Sequence, residues 1–342
     1  MNLQELLGID LPIIQAPMAG WQGSEMAVAV ANAGGLGSLP CAPLSLDAMQ
    51  SELKAIRSGT RNPFNVNFFC HAAPEKDAGR EARWRELLRS YFEEFGVVPG
   101  ADAAPSRAPF SSAAADVLEP FKPAVVSFHF GLPAPDLVKR VKGWGSKVFG
   151  SATTVEEAIW LEQRGADAVI AQGFEAGGHR GMFLSEDLTT QVGTFALLPQ
   201  IARAVRVPVI AAGGIADANG VAAAMSLGAA AVQLGTAYLL CPEATTGPAH
   251  RAALQDKRAA HTALTNLFSG RPARGIMNRL MAELGPINPA VPAFPLAAGA
   301  LAPLRKKAES LGSGEFSPLW AGQNVSGCRE ISAAELTRSL AA

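Results

Sequence analysis

Short apolar runs alternate with stretches of helical period along most of this chain, and that alternation is what most narrows its fold. Leu11-Pro-Ile-Ile-Gln-Ala-Pro-Met18 reads as a buried strand, with a helix from Ser24 to Ala33 behind it. Ser24 is the N-cap expected of that helix and Gly34-Gly35 its stop. Leu36–Leu39 is a second strand, followed by an amphipathic helix from Ser45 to Arg57 with Leu46, Met49, Leu53 and Ile56 on one face. Further strands are expected at Phe64–Phe68, Val125–Phe130, Lys147–Gly150, Ala168–Gln172, Val207–Ala212 and Ala231–Leu234, with helices between them. The stretch from Cys70 to about Ser112 breaks the rhythm and is expected to be an excursion carrying one helix near Glu81–Phe95.

Eight strands separated by helices indicate parallel βαβ units. A barrel and a doubly wound open sheet both give this pattern. The strand count, and the glycines at strand C-termini where barrel active sites lie, favour the barrel. The expected fold class is therefore α/β, a (β/α)8 TIM barrel with an additional, mostly helical segment inserted after strand 8. The division expected is a ligand-binding barrel over residues 1–240, a helical cap over 241–312 and a C-terminal segment over 313–342 that returns to the barrel. Within the last, Ser332-Ala-Ala-Glu335 has the spacing of a capping box.

Bulk properties exclude several function classes. A hydrophobic share of 49% with 17% charged residues is that of a folded globular protein. Net charge is −1 and the densest cationic run is only Arg305-Lys306-Lys307, so no nucleic-acid partner is expected. No apolar run is long enough for a membrane span, and no early Lys or Arg marks a signal peptide. The four cysteines are scattered without a Cys-x-x-Cys, which points to free thiols in a reducing compartment and to a cytoplasmic protein without bound metal.

The chemistry concentrates at three strand ends. Ala211-Ala-Gly-Gly-Ile215 follows the seventh strand, and Gln233-Leu-Gly-Thr236 closes the eighth. Loops at these positions of barrels often bind phosphate through backbone N–H groups, which glycines such as Gly213, Gly214 and Gly235 allow to come close. The third is Gln172-Gly-Phe-Glu-Ala-Gly-Gly-His-Arg-Gly181, after the sixth strand. Imidazole titrates near neutrality, so His179 in this glycine loop is the candidate acid/base. Glu175 is expected to be structural, for instance pairing with Arg180. His129 in strand four is either a substrate contact or a hydrogen-bonded core histidine, and Asn67 can offer a carboxamide to a flavin ring edge. His71, His250 and His261 have no supporting context. Walker-A, dinucleotide-fold and Gly-x-Ser-x-Gly motifs are missing. What remains is one mononucleotide phosphate beside a histidine, without a choice between FMN and another phosphate.

Gln15-Ala-Pro-Met-Ala-Gly20, Asn65-Val-Asn67, Gly173-Phe-Glu-Ala-Gly-Gly-His-Arg-Gly181, Ala211-Ala-Gly-Gly-Ile-Ala-Asp217 and Gln233-Leu-Gly-Thr236 together resemble the nitronate monooxygenases, formerly 2-nitropropane dioxygenases. The resemblance extends to Phe268-Ser-Gly-Arg-Pro-Ala-Arg-Gly275 and Leu319-Trp-Ala-Gly-Gln323, and is closest to the class I members, which prefer propionate 3-nitronate. It implies an FMN enzyme that oxidises nitronates with O2 to a carbonyl compound and nitrite, without reduced nicotinamide. By position it implies FMN contacts from Pro17, Met18, Asn67, Gln172, Gly177, Gly178, Gly213, Gly214, Gln233, Leu234, Gly235 and Thr236. His179 becomes the catalytic histidine and His129 a substrate contact. The pocket it implies is lined by aromatics, yet the only tyrosines are Tyr91 and Tyr238. A homodimer is compatible with the reading. The rivals are an NADH:quinone reductase or flavin-dependent enoyl-thioester reductase on the same barrel, and a non-flavin barrel holding a phosphate ligand.

Overall fold

A computed structural model describes residues 3–75, 77–98 and 107–341. The expected strands form, in chain order, β1 (Ile13–Gln15), β2 (Gly37–Pro40), β3 (Phe64–Phe69), β4 (Val125–His129), β5 (Lys147–Ala152) and β6 (Ala168–Gln172). A two-residue strand, β7 (Gly178–His179), lies in the loop after β6, and β8 (Val209–Ala212) and β9 (Ala231–Leu234) follow. Apart from β7 these make one parallel eight-stranded sheet, in the order β1-β9-β8-β6-β5-β4-β3-β2. The two ends of that order meet. Ile14 bridges Leu36 in parallel, and the Gln15 amide donates to the Leu36 carbonyl at 3.0 Å. The sheet is thus closed into a barrel, and the open-sheet alternative falls.

Period-two alternation explains why the strands are apolar throughout. Ile14, Val125, Phe149, Ala168, Ile170, Ile210 and Ala231 form one buried cluster inside the barrel. Their neighbours Ile13, Val169, Ala171, Val209, Ala211 and Val232 belong to a second cluster under the surrounding helices. Leu3, Leu7 and Ile9 join the interior cluster, which contains the first residues of β4, β6 and β9. The short helix Leu3–Leu7 therefore closes the N-terminal end of the barrel, leaving the C-terminal ends of the strands open for a site.

The cap expected at Ser332 forms, and other helices are capped in the same way. Ser45, Thr154, Asn278 and Ser332 each accept an amide hydrogen bond at the start of their helix. Ser24 does not. Gly23 occupies that N-cap position, and the Ser24 amide instead donates to the Glu52 carboxylate at 2.6 Å. A carboxylate from the neighbouring helix Leu46–Gly59 replaces the local cap.

The segment after β9 carries helices at Pro248–Gln255, Arg279–Leu284 and Ala297–Ser310, and also two strands, β10 (Thr262–Thr265) and β11 (Ala273–Ile276). The strands pair antiparallel with each other, and β11 pairs with β7. The helix of the earlier excursion, Ala78–Glu94, packs against this segment. Trp84 and Leu88 share a buried cluster with Leu280, Leu301, Leu304 and Phe316. Two interruptions of the βα rhythm, far apart in sequence, thus build one second core beside the barrel.

Candidate active site

One cavity lies at the C-terminal ends of the strands, with an empty space of about 1230 Å3 including its mouth. Every residue singled out above as a cofactor, substrate or catalytic candidate lines it, from Pro17 and Met18 after β1 to Thr236 after β9. Trp21, Phe69, Arg107, Ser151, Trp320, Gly322 and Asn324 line it as well and were not foreseen as site residues.

At one end, Gly213 and Gly214 follow β8 with φ of +109° and +76°, a left-handed pair that strains any residue with a Cβ. Gly235 and Thr236 follow β9, which is paired with β8, so both glycine sites sit side by side. The Thr236 hydroxyl oxygen accepts from the Gly322 amide at 3.0 Å, which leaves its O–H free to donate. Asn67 commits its Nδ2 to the Ser127 hydroxyl at 2.9 Å and carbonyl at 3.2 Å, so Oδ1 is the group it has left to offer.

At the other end stands His179, on β7. Its position is set by backbone groups. Ala273 of β11 pairs with it, and the Arg180 amide donates to the Pro272 carbonyl at 2.9 Å. Gln172 Nε2 donates to the His179 carbonyl at 2.9 Å, and Gln172 Oε1 accepts from the Gly181 amide at 2.7 Å. The Gln172 carboxamide thus holds the loop from both ends and keeps one N–H and one oxygen lone pair on the cavity wall. His129 likewise places Nε2 against the His179 carbonyl at 3.2 Å. This joins the two alternatives for His129, since it is hydrogen-bonded and still borders the cavity.

The His179 ring sits among aromatic rings, with centroid distances of 5.4 Å to Phe294, 5.6 Å to Trp320, 6.1 Å to Phe130 and 6.2 Å to Phe69. Phe130 reaches this cage from a backbone with φ of +68°, a conformation rare for a bulky residue. Neither tyrosine takes part. Tyr91 lies in the second core, and the buried Tyr238 hydroxyl meets the Thr337 hydroxyl at 2.9 Å. The Trp320 carbonyl is met by His250 Nε2 at 3.1 Å, a role no local sequence signal showed for that histidine.

His179 Nε2 lies 2.8 Å from Ser269 Oγ, and that hydroxyl is 3.2 Å from the Arg271 carbonyl. Burial, then the charge of Arg107, then His129 and Arg271, hold the His179 pKa well below the usual imidazole range. Burial and these charges favour the neutral ring. Burial first also pushes His129 down to about 4.

Glu175 and Arg180 do not pair. The Glu175 carboxylate accepts from the Thr194 amide at 2.8 and 3.0 Å and from its hydroxyl at 2.9 Å, capping the helix Thr194–Ala204. Arg180 is fully buried and donates to the carbonyls of Gly173 at 2.6 Å and Gln172 at 2.8 Å and to Gln191 Oε1 at 2.9 Å. Its five donors suit a turn of exposed carbonyls better than a single carboxylate.

The family model for nitronate monooxygenase matches residues 1–342. A nitronate monooxygenase of Pseudomonas aeruginosa is 44% identical, covering 98% of this chain and 96% of its own. Another, from Paraburkholderia phytofirmans, is 43% identical, covering 99% and 93%. The crystal structure of a nitroalkane oxidase from Streptomyces ansochromogenes superposes with a TM-score of 0.90 at 40% identity, covering 100% of this chain and 97% of that one. The barrel, the cavity at its C-terminal end and this whole-length similarity lead to one statement: the chain is an oxidoreductase that belongs to the nitronate monooxygenase family.

Proposed function

We propose that the protein oxidises alkyl nitronates with molecular oxygen, propionate 3-nitronate among them, in a cavity that holds FMN and uses His179 as its acid/base. The observation that carries this reading is the placement of the two glycine sites and His179 in one cavity. Gly213, Gly214, Gly235 and the Thr236 hydroxyl suit a phosphate. Pro17 and Met18 offer an apolar wall to a ring system, and Asn67 Oδ1 an acceptor to a ring N–H. Gln172 holds the His179 loop and has a remaining N–H and lone pair to offer the ring system. Bound there, FMN supplies the redox chemistry that no side chain of the cavity has, carrying electrons from the nitronate to oxygen and yielding a carbonyl compound and nitrite.

The protein's own groups handle charge and protons. A neutral imidazole can take the Cα proton of a nitroalkane or donate an N–H to the oxygens of a nitronate. Ser269 selects between them. When its hydroxyl proton points to the Arg271 carbonyl, His179 Nε2–H donates to Ser269 and Nδ1 keeps the lone pair for a proton; when it points to His179, Nε2 accepts and Nδ1–H is left to donate to a nitronate. Arg107 and Arg271 supply positive potential that favours an anion beside the ring. The aromatic cage keeps water from the carbanion-like carbon.

Replacing His179 by Asn is expected to leave the flavin bound and to lower turnover of nitroethane by roughly 10²–10⁴-fold, the usual weight of general acid–base catalysis. Near-normal turnover in a flavin-loaded His179→Asn variant contradicts the assignment.

A further inference from the structure

Arg107 is the one cation on the cavity wall among the described residues. It is half-buried. The ion pairs of the described residues engage Arg89, Arg140, Lys142, Arg251, Arg258, Arg279 and Arg305, and none engages Arg107. Glu175, an acid on the same wall, spends its carboxylate on Thr194. The contact that Arg107 does make is with an aromatic face, its Cζ lying 5.8 Å from the Phe294 centroid. The same ring is 5.4 Å from His179. A guanidinium with unspent donors therefore stands within about 11 Å of the His179 ring, in the same cavity. Its charge is close enough to act on the imidazole. Leaving such a group partly desolvated and uncompensated is costly unless an anion arrives to meet it.

Resting on the nitronate reading above, we infer that Arg107 anchors the carboxylate of a substrate that carries an acid group beyond its nitronate carbon. Arg107 is then the residue behind the preference for propionate 3-nitronate over simple alkyl nitronates that the resemblance implies. With charge-assisted hydrogen bonds of about 2.8 Å at each end, a three-carbon acid can reach from Arg107 to the His179 ring. The planar guanidinium matches a carboxylate with two parallel donors, while the neutral His179 meets the nitronate without competing for the acid group. Arg107 thus sets specificity, and the proton chemistry stays with His179.

The test compares wild type with Arg107→Met and Arg107→Lys, using oxygen uptake with propionate 3-nitronate and with propyl 1-nitronate. The ratio of the two kcat/KM values is expected to fall about 10- to 100-fold in Arg107→Met, the worth of a charge-assisted pair, and less in Arg107→Lys. A ratio that changes less than threefold overturns the inference. So does loss of bound flavin in step with activity, which assigns Arg107 to the cofactor instead. A second readout needs no turnover. Succinate, whose second carboxylate is a planar anionic stand-in for the nitronate, is expected to raise the melting midpoint of the wild-type holoenzyme and not that of Arg107→Met. If succinate protects both equally, Arg107 is not the anchor. If it protects only wild type while neither nitronate is oxidised, the anchor stands and the nitronate reading fails.

Discussion

At the scale of single residues, the site turns on keeping one imidazole neutral in a positive field. His179 is squeezed by burial and by Arg107, and both effects disfavour the imidazolium. The sign of the consequence is definite. A lowered pKa means the base form persists to lower pH, so kcat/KM with a neutral nitroalkane is expected to stay flat from pH 7.5 down through pH 6.5 and to fall only below that. A pH–rate profile whose acid limb is centred at or above pH 6.5 contradicts this account of the histidine. Sequence showed His179 because a glycine-rich loop after a barrel strand is a local pattern. Sequence did not show Arg107, which follows a stretch without periodicity, nor Phe294 and Trp320, which reach the ring from more than a hundred residues away. Gln172 was visible as a strand-end polar residue, but its use in holding the Gly181 amide and the His179 carbonyl depends on a loop path that composition does not encode.

At the scale of elements, the loop between β6 and the helix Thr194–Ala204 is held from three directions. Arg180 gathers its carbonyls, β11 pairs with β7, and Glu175 caps the following helix. The helix has Gly193 at its N-cap and no side-chain cap of its own, so the Glu175 carboxylate satisfies the amide and opposes the positive end of the helix. Glu175→Ala is expected to cost about 0.5–2 kcal/mol, the range of a lost N-cap, read as a lower urea midpoint of the holoenzyme. A shift below about 0.5 kcal/mol argues that water or a neighbouring group replaces the cap at little loss. Barrel strands were legible because short apolar runs between helical stretches mark strands buried on both faces, and the Ser332 cap because a Ser three residues before Glu335 marks a helix start. The Ser24 cap was misread because the competing partner, Glu52, comes from another helix. Strands β10 and β11 were not legible at all. They are four residues each, and β11 is Ala-Arg-Gly-Ile, which has little strand character by itself. Its pairing with β10 along its whole length, and with the His179 loop at Ala273 and Arg274, creates the strand.

At the scale of the whole molecule, the closed barrel supplies a rigid rim, and the second core brings the aromatic wall to it. Trp84 and Leu88 from the excursion after β3 pack with Leu301, Leu304 and Phe316 from the segment after β9. Trp320 packs against that core, Phe294 clusters with Phe69 and Phe130, and both rings face His179. The barrel was readable from alternation together with the strand count and the glycines at strand ends; that the two irregular stretches join each other was not, because their contacts span some two hundred residues of chain. On the proposed function, this assembly binds FMN and passes electrons from a nitronate to oxygen. Purified protein is therefore expected to show the visible absorbance of an oxidised flavin, and to consume oxygen and release nitrite on mixing with propionate 3-nitronate. Anaerobic NADH should leave that absorbance unbleached. A colourless protein without releasable FMN, or prompt bleaching by NADH with no oxygen uptake on the nitronate, contradicts the account.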